Sequence, residues 1–242
     1  MSIGIGIVGV NGRMGQALVA ALAGWPGAAF AGGVDKDATA RDLNCDAMID
    51  FSSPDALDDT LAAAIAHPCP IVIGATGLRD THHAAIDRAA RQIPVLQSAN
   101  MSLGVTLLAA LVAEAAGRLG PDWDIEILEM HHRHKVDAPS GTALLLGEAA
   151  AQGRGVDLAH EMVAVREGIT GPRREGTIGF ATLRGGSVPG DHSVIFATED
   201  ERLELSHRAQ SRAIFARGAI RAALWLVGKA PGRYSLRDVL GL

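Results

Sequence analysis

The sequence predicts an α/β protein: a doubly wound parallel sheet, joined to a second, α+β domain with a mixed or antiparallel sheet. Three observations carry this. Short apolar runs alternate with helical patterns from residue 1 to about residue 100. A glycine-spaced turn joins the first strand to the first helix. Past residue 119, strands follow one another with few helices between them, and several alternate apolar with polar residues.

The elements are read in order. Ile3 to Val8 is a short β-branched run, broken by glycines. Gln16 to Gly24 is an alanine- and leucine-rich helix stopped by Gly24, Pro26 and Gly27. Ala28 to Val34 is the next strand, ending at Asp35. Ala47 to Phe51 is a strand, and Pro54 to Ala66 a helix with Ser53 as its expected cap. Pro70 to Ile73, Thr81 to Arg91 and Pro94 to Ser98 continue as strand, helix and strand. Leu103 to Leu119 is one long apolar helix. Strands are then expected over Asp124 to Met130, Met162 to Arg166, Thr177 to Arg184, His192 to Thr198 and Arg202 to Arg208, with a helix over Ala143 to Gln152. Ala213 to Gly228 returns to a helix. The domain expectation is 1–102 with 212–242, enclosing 103–211, with crossings near Ser102 and Ser211-Arg212.

Composition excludes several classes. With 242 residues, 48% hydrophobic and 20% charged, the chain buries enough apolar surface to fold. A net charge of −5 and 4% aromatics argue against a nucleic-acid binder. Cys45 and Cys69 are too few for a disulfide framework, which points to a reducing compartment. Neither a signal peptide nor a membrane span is expected, so the reading is a cytoplasmic protein.

Two segments carry chemistry. Gly9-Val10-Asn11-Gly12-Arg13-Met14-Gly15 lies between the first strand and the first helix. Its glycines let the backbone approach a pyrophosphate, and the helix start offers free N–H groups. Asn11 stands where the usual fingerprint has its second glycine, and is expected to keep the turn because Asn tolerates positive φ. Asp35, 20 residues after Gly15, is placed to hold ribose hydroxyls.

The second segment runs from Glu129 to Thr142. Its core, His131-His132-Arg133-His134-Lys135, suits a dianionic small substrate and supplies groups that carry protons near neutrality. Ser140-Gly141-Thr142 opens the next helix, whose N–H groups can take a carboxylate. No cysteine or H-x-x-x-H completes a zinc set, so no metal is expected.

On these residues the chain resembles the dihydrodipicolinate reductase family, also called 4-hydroxy-tetrahydrodipicolinate reductase. The matching stretches include Ile49-Asp50-Phe51-Ser52, Val72 to Gly77, Ala99-Asn100-Met101-Ser102, Arg166-Glu167-Gly168, Gly176 to Ala181 and Ala222 to Leu226. The segment from His131 to Thr142 is the most specific. The resemblance implies a Rossmann domain interrupted by a substrate and oligomerisation domain, and a homotetramer. It implies reduction of a cyclic dicarboxylic imine with NADH or NADPH in lysine and diaminopimelate synthesis. It makes His131 a proton donor/acceptor and Lys135 a proton donor. His132, Gly141 and Thr142 would hold substrate carboxylates. Gly9 to Met14, Asp35, Lys36, Gly74, Ala75, Thr76, Ser98, Ala99, Asn100 and Met101 would contact the cofactor, with NADH favoured. Two departures stand out: a segment of only about 11 residues between Asp35 and Ala47, and Ala75 where Thr is frequent. The competing readings are another nicotinamide-dependent imine or amino-acid dehydrogenase, and a non-catalytic dinucleotide sensor.

Overall fold

A computed structural model describes residues 2–35 and 39–242. The chain divides into two units, Met1–Leu103 with Arg212–Leu242, and Gly104–Ser211.

The first unit is a six-stranded parallel sheet. Its strands are β1 (Ile3–Val8), β2 (Ala28–Val34), β3 (Ala47–Asp50), β4 (Ile71–Ile73), β5 (Pro94–Gln97) and, late in the chain, β11 (Gly232–Tyr234), in the order β11-β5-β4-β3-β1-β2. Helices α1 (Arg13–Leu22), α2 (Leu57–Ala66), α3 (Asp80–Ala89) and α7 (Ala213–Leu226), with the short α8 (Leu236–Leu240), complete it. β3 and β4 are buried at every residue. Strands covered on both faces read as unbroken apolar runs, which is why periodicity located them.

Two apolar clusters lie in this unit. One joins β1, α1 and α7 through Ile5, Ile7, Leu18, Ile220 and Leu226. The other joins α2 and α3 through Leu57, Leu61 and Ile86. Helix α7 approaches so closely that a β-carbon on Gly218 would lie 1.7 Å from the carbonyl oxygen of Met101.

The second unit begins within α4 (Leu103–Leu119) and contains β6 (Asp124–His131), α5 (Gly141–Arg154), α6 (Leu158–Glu161), β7 (Met162–Val163), β8 (Ile178–Arg184), β9 (Asp191–Ala197) and β10 (Arg202–Arg208). Its sheet is mixed, in the order β10-β9-β6-β8-β7. β6 runs parallel to β8 and antiparallel to β9. One face packs Ile125, Ile127, Ile178, Phe180, Val194 and Phe196 against α4 and α5. The other face presents Leu128, Met130, Leu183 and Ile195.

Several boundaries differ from the sequence expectation. α1 begins at Arg13, three residues early, because the glycine turn leads straight into helix. Pro54–Ala56 is a 3₁₀ turn ahead of α2, and Ser53 makes no side-chain cap there. The strand expected over Met162 to Arg166 shrinks to two residues. Beyond it Arg166 and Arg173 donate to the Glu126 carboxylate. β11 and α8 were not expected from so short an apolar pattern. Between Asp35 and β3 the described chain forms only a 3₁₀ turn, Ala40–Asp42.

Candidate active site

The glycine turn and the histidine segment lie in different units, and each is built locally. In the first unit β1 ends at Val8 and Gly9 takes φ +81°, a conformation open to glycine at little cost. Among the described residues only glycines have positive φ. The expectation for Asn11 is therefore corrected: the left-handed step falls on Gly9, and Asn11 needs none. Gly15 is buried where a β-carbon would lie 2.3 Å from the Gly9 carbonyl oxygen. α1 starts after Gly12 with no side-chain cap and no acidic residue in its first turn. Its leading N–H groups are thus open to an anion.

A cavity of about 720 Å³ opens beside this turn, lined among others by Gly9, Asn11, Gly12, Asp35, Thr39 and Ser52. Asp35 Oδ2 accepts the Asn11 N–H at 3.1 Å. A second carboxylate, Asp59, also lines the cavity, and no lysine or arginine does among the described residues. Lys36, expected beside Asp35, lies outside the described residues. Val10 and Met14 pack against the core rather than the cavity, and Arg13 is exposed. Gly74, Ala75 and Thr76 follow β4, with Ala75 buried. Ser98 to Met101 follow β5, where Ser98 Oγ donates to the Asn100 carbonyl and Asn100 Oδ1 accepts the Ser102 N–H. These segments sit at the carboxyl ends of parallel strands, where ligands of such sheets bind. They do not line the cavity itself. Ser52, Asp59 and Thr60 do, and no glycine or charge pattern marked them.

In the second unit the site lies where core-facing rows turn polar. Strand residues alternate between faces, so Ile125, Ile127, Glu129 and His131 share the buried face of β6. Ile178, Phe180, Thr182 and Arg184 share one face of β8. The pairing sets Thr182 beside Glu129, Glu129 beside His192, and His192 beside His207, a polar row across four strands.

Glu129 is 1% exposed. Its Oε2 lies 2.6 Å from Nδ1 of His131. Arg184 donates to Oε2 at 2.8 Å and to Oε1 at 2.9 Å, and the Ser140 N–H donates to Oε1 at 3.0 Å. Burial pushes the Glu129 carboxyl upward, but the Arg184, His131 and Ser140 hydrogen bonds outweigh it and hold the group below its ordinary range.

Beyond His131 the chain turns sharply. His132 N–H donates to the Val188 carbonyl and Arg133 N–H to that of Gly186, so the β8–β9 connection carries the turn. Lys135 Nζ pairs with Asp137 Oδ1 at 2.9 Å, which holds the Asp137 carboxyl below its usual value. Ser140 then caps α5: its Oγ accepts the Ala143 N–H at 3.1 Å and lies 3.2 Å from Nε2 of His192. Gly141 is exposed and Thr142 half-buried at the helix start. The His131 and His192 rings meet edge to face at 5.0 Å. Burial, with the neighbouring His131, pushes His192 down to about 4. The fold thus brings His131, His132, Lys135 and Ser140 to Thr142 into one segment of the second unit. It adds Glu129, Arg184 and His192, which residue type alone did not single out. Among the described residues no cluster of three or more His, Cys, Asp or Glu side chains suits a metal ion.

The family model described as dihydrodipicolinate reductase, N-terminus, matches residues 3–101, and that described as its C-terminus matches residues 104–240. A 4-hydroxy-tetrahydrodipicolinate reductase of Zymomonas mobilis subsp. mobilis is 54% identical, covering 100% of this chain and 98% of its own. One from Allorhizobium ampelinum is 52% identical, over 98% and 97% of the two chains. Among solved structures, a dipicolinate-bound dihydrodipicolinate reductase from Paenisporosarcina sp. TG-14 shares the fold with a TM-score of 0.79. It is 21% identical over 97% of this chain and 98% of that one. By its two matched halves and its full-length relatives, the chain belongs to the dihydrodipicolinate reductase family.

Proposed function

We propose that the chain reduces 4-hydroxy-tetrahydrodipicolinate to tetrahydrodipicolinate with NADH or NADPH, in lysine and diaminopimelate synthesis. The observation that carries this reading is the His131–Lys135 turn, which leads through Ser140 into the start of α5. Cationic and proton-bearing groups there precede Gly141 and Thr142 in one segment of the chain. The glycine turn, the uncapped start of α1 and Asp35 suit a dinucleotide.

The substrate of this reading carries two carboxylates. His132 and Lys135 offset that charge, and the first N–H groups of α5 take one carboxylate. A bound nicotinamide supplies the hydride. Charge then develops toward the ring nitrogen, and a proton must reach the ring. His131 and Lys135 are the two side chains that hold one. The chain crosses between the units near Ser102 and near Ser211-Arg212.

NADH is the favoured cofactor. Two carboxylates and no basic side chain line the described cavity, which disfavours a 2′-phosphate. The open sheet face, with Leu128, Met130, Leu183 and Ile195, supports assembly into a homotetramer. The free thiols of Cys45 and Cys69 suit a reducing cytoplasm. No helix among the described residues is long and apolar enough to cross a membrane.

The test is the loss of NADH absorbance with freshly generated substrate, run beside amino-acid oxidation with NAD⁺. Turnover only in the second assay replaces this reading with an amino-acid dehydrogenase.

A further inference from the structure

We infer that Glu129 and Arg184 are positioning residues that fix the ring of His131, so that Nε2 is the nitrogen that takes up and gives off the proton. The inference rests on the reading of His131 as a proton-bearing group and adds how that group is set.

Sequence periodicity places Glu129 and His131 two residues apart on the buried face of β6. Pairing with β8 brings Arg184 directly opposite His131, from where it forks onto both oxygens of Glu129. The Ser140 N–H adds a third donor. Thr182, opposite Glu129, adds a hydroxyl at 3.4 Å. A carboxylate with an arginine fork and a backbone donor on its oxygens has little freedom to rotate. Held below its ordinary titration range, it is ionised and can only accept.

The nitrogen 2.6 Å away is therefore a donor: Nδ1 keeps its hydrogen on Glu129. Nε2 is left for exchange. Among the described residues nothing hydrogen-bonds it, and the residue beside it is Gly190, where a β-carbon would come within 2.9 Å. His131 is 8% exposed, and its Nδ1 is occupied by Glu129. Arg184 also donates to the carbonyl of Asp137, at 2.7 Å. One guanidinium thereby ties the carboxylate that orients His131 to the turn that carries Lys135.

The test uses the full chain. In long-range ¹H–¹⁵N spectra of histidine-labelled protein, with His131 assigned by comparison with H131N, neutral His131 is expected to carry its hydrogen on Nδ1. In E129Q this preference is expected to be lost. The kcat of E129Q falls on the order of 10²-fold, NADH affinity is unchanged, and KM for the imine changes by less than about threefold. E129D, which keeps the charge, recovers part of kcat. A hydrogen on Nε2 in the unsubstituted protein overturns the proposal, and needs neither a foldable variant nor a substrate to be seen. Unchanged kcat in E129Q overturns it as well. A hydrogen on Nδ1 together with full turnover in H131A overturns the reading of His131 as the proton-bearing group and leaves the geometry of the pair standing.

Discussion

The backbone N–H of Asn11 donates to Oδ2 of Asp35 at 3.1 Å, so the acid at the end of β2 is tied to the turn that follows β1. Asp35 is held in place before any ribose arrives. Its negative charge repels a 2′-phosphate, an effect on the order of 1–2 kcal/mol at a solvent-screened site. NADH is expected to exceed NADPH in kcat/KM at a fixed ionic strength, and D35S to narrow or invert the difference. A tenfold preference for NADPH in the unsubstituted chain removes this role from Asp35.

His131→Ala and Lys135→Ala each lower kcat, by about 10²–10⁴-fold if each group acts on a proton in the transition state. Neither residue belongs to the unit that holds the glycine turn, so NADH affinity measured by fluorescence titration stays near that of the unsubstituted chain. Wild-type turnover in both variants refutes the assignment.

His192 titrates at about 4, below the ordinary value near 6.5, because it is buried beside His131. The unfolded chain therefore binds a proton that the folded chain refuses. The stability this withholds is fully present above about pH 6.5 and is lost as pH falls toward 4, an effect of a few kcal/mol at most. Urea midpoints at pH 7.5 and pH 5 are expected to fall with acid, and to fall less in H192N. Equal pH dependence in both proteins contradicts the argument.

Cys45 and Cys69 place their sulfurs 3.8 Å apart. The bond from Cys69 lowers the Cys45 thiol, whereas that contact and burial raise Cys69 well above its ordinary value. Cys45 is also the more exposed. Iodoacetamide on the native chain is expected to modify Cys45 first, with Cys69 reacting only after unfolding. Mass mapping that finds Cys69 first reverses this order.

In the sheet of the second unit Leu128, Met130 and Ile195 are half-buried and Leu183 is exposed, on the face opposite the one packed against α4 and α5. Light scattering at micromolar concentration is expected to give the mass of a tetramer. M130E, on the open face, is expected to lower that mass. A monomer in the unsubstituted chain removes the assembly, and a dimer refutes the count.

Much of this was legible from periodicity. β2, α4 and β10 fall where apolar runs and alternation place them, because buried strands and amphipathic helices write their period into the chain. The His131–Lys135 turn was visible as an unusual density of His and Lys. Glu129, Arg184 and His192 were harder to see, because their meaning depends on pairing between strands more than fifty residues apart. Their parity was in the sequence all along: each continues an apolar row with a polar residue. Which row lies beside which is set by register. The cavity residues Asp59 and Thr60 escaped for a related reason, since they follow β3 in sequence but line one cavity with the glycine turn only once β3 pairs with β1.

Helix α7 brings Ala216, Ala219, Ile220 and Leu226 into the same cluster as Ile5, Ile7 and Leu18, although some two hundred residues of chain intervene. A ribosome releases the amino-terminal strands long before their covering helix exists. Until the last thirty or so residues emerge, the nascent chain carries β1 with one flank uncovered and lacks the edge strand β11. The inserted unit, contiguous from Gly104 to Ser211, needs no such wait. Vectorial synthesis therefore favours an order in which the inserted unit matures first and the dinucleotide fold closes last.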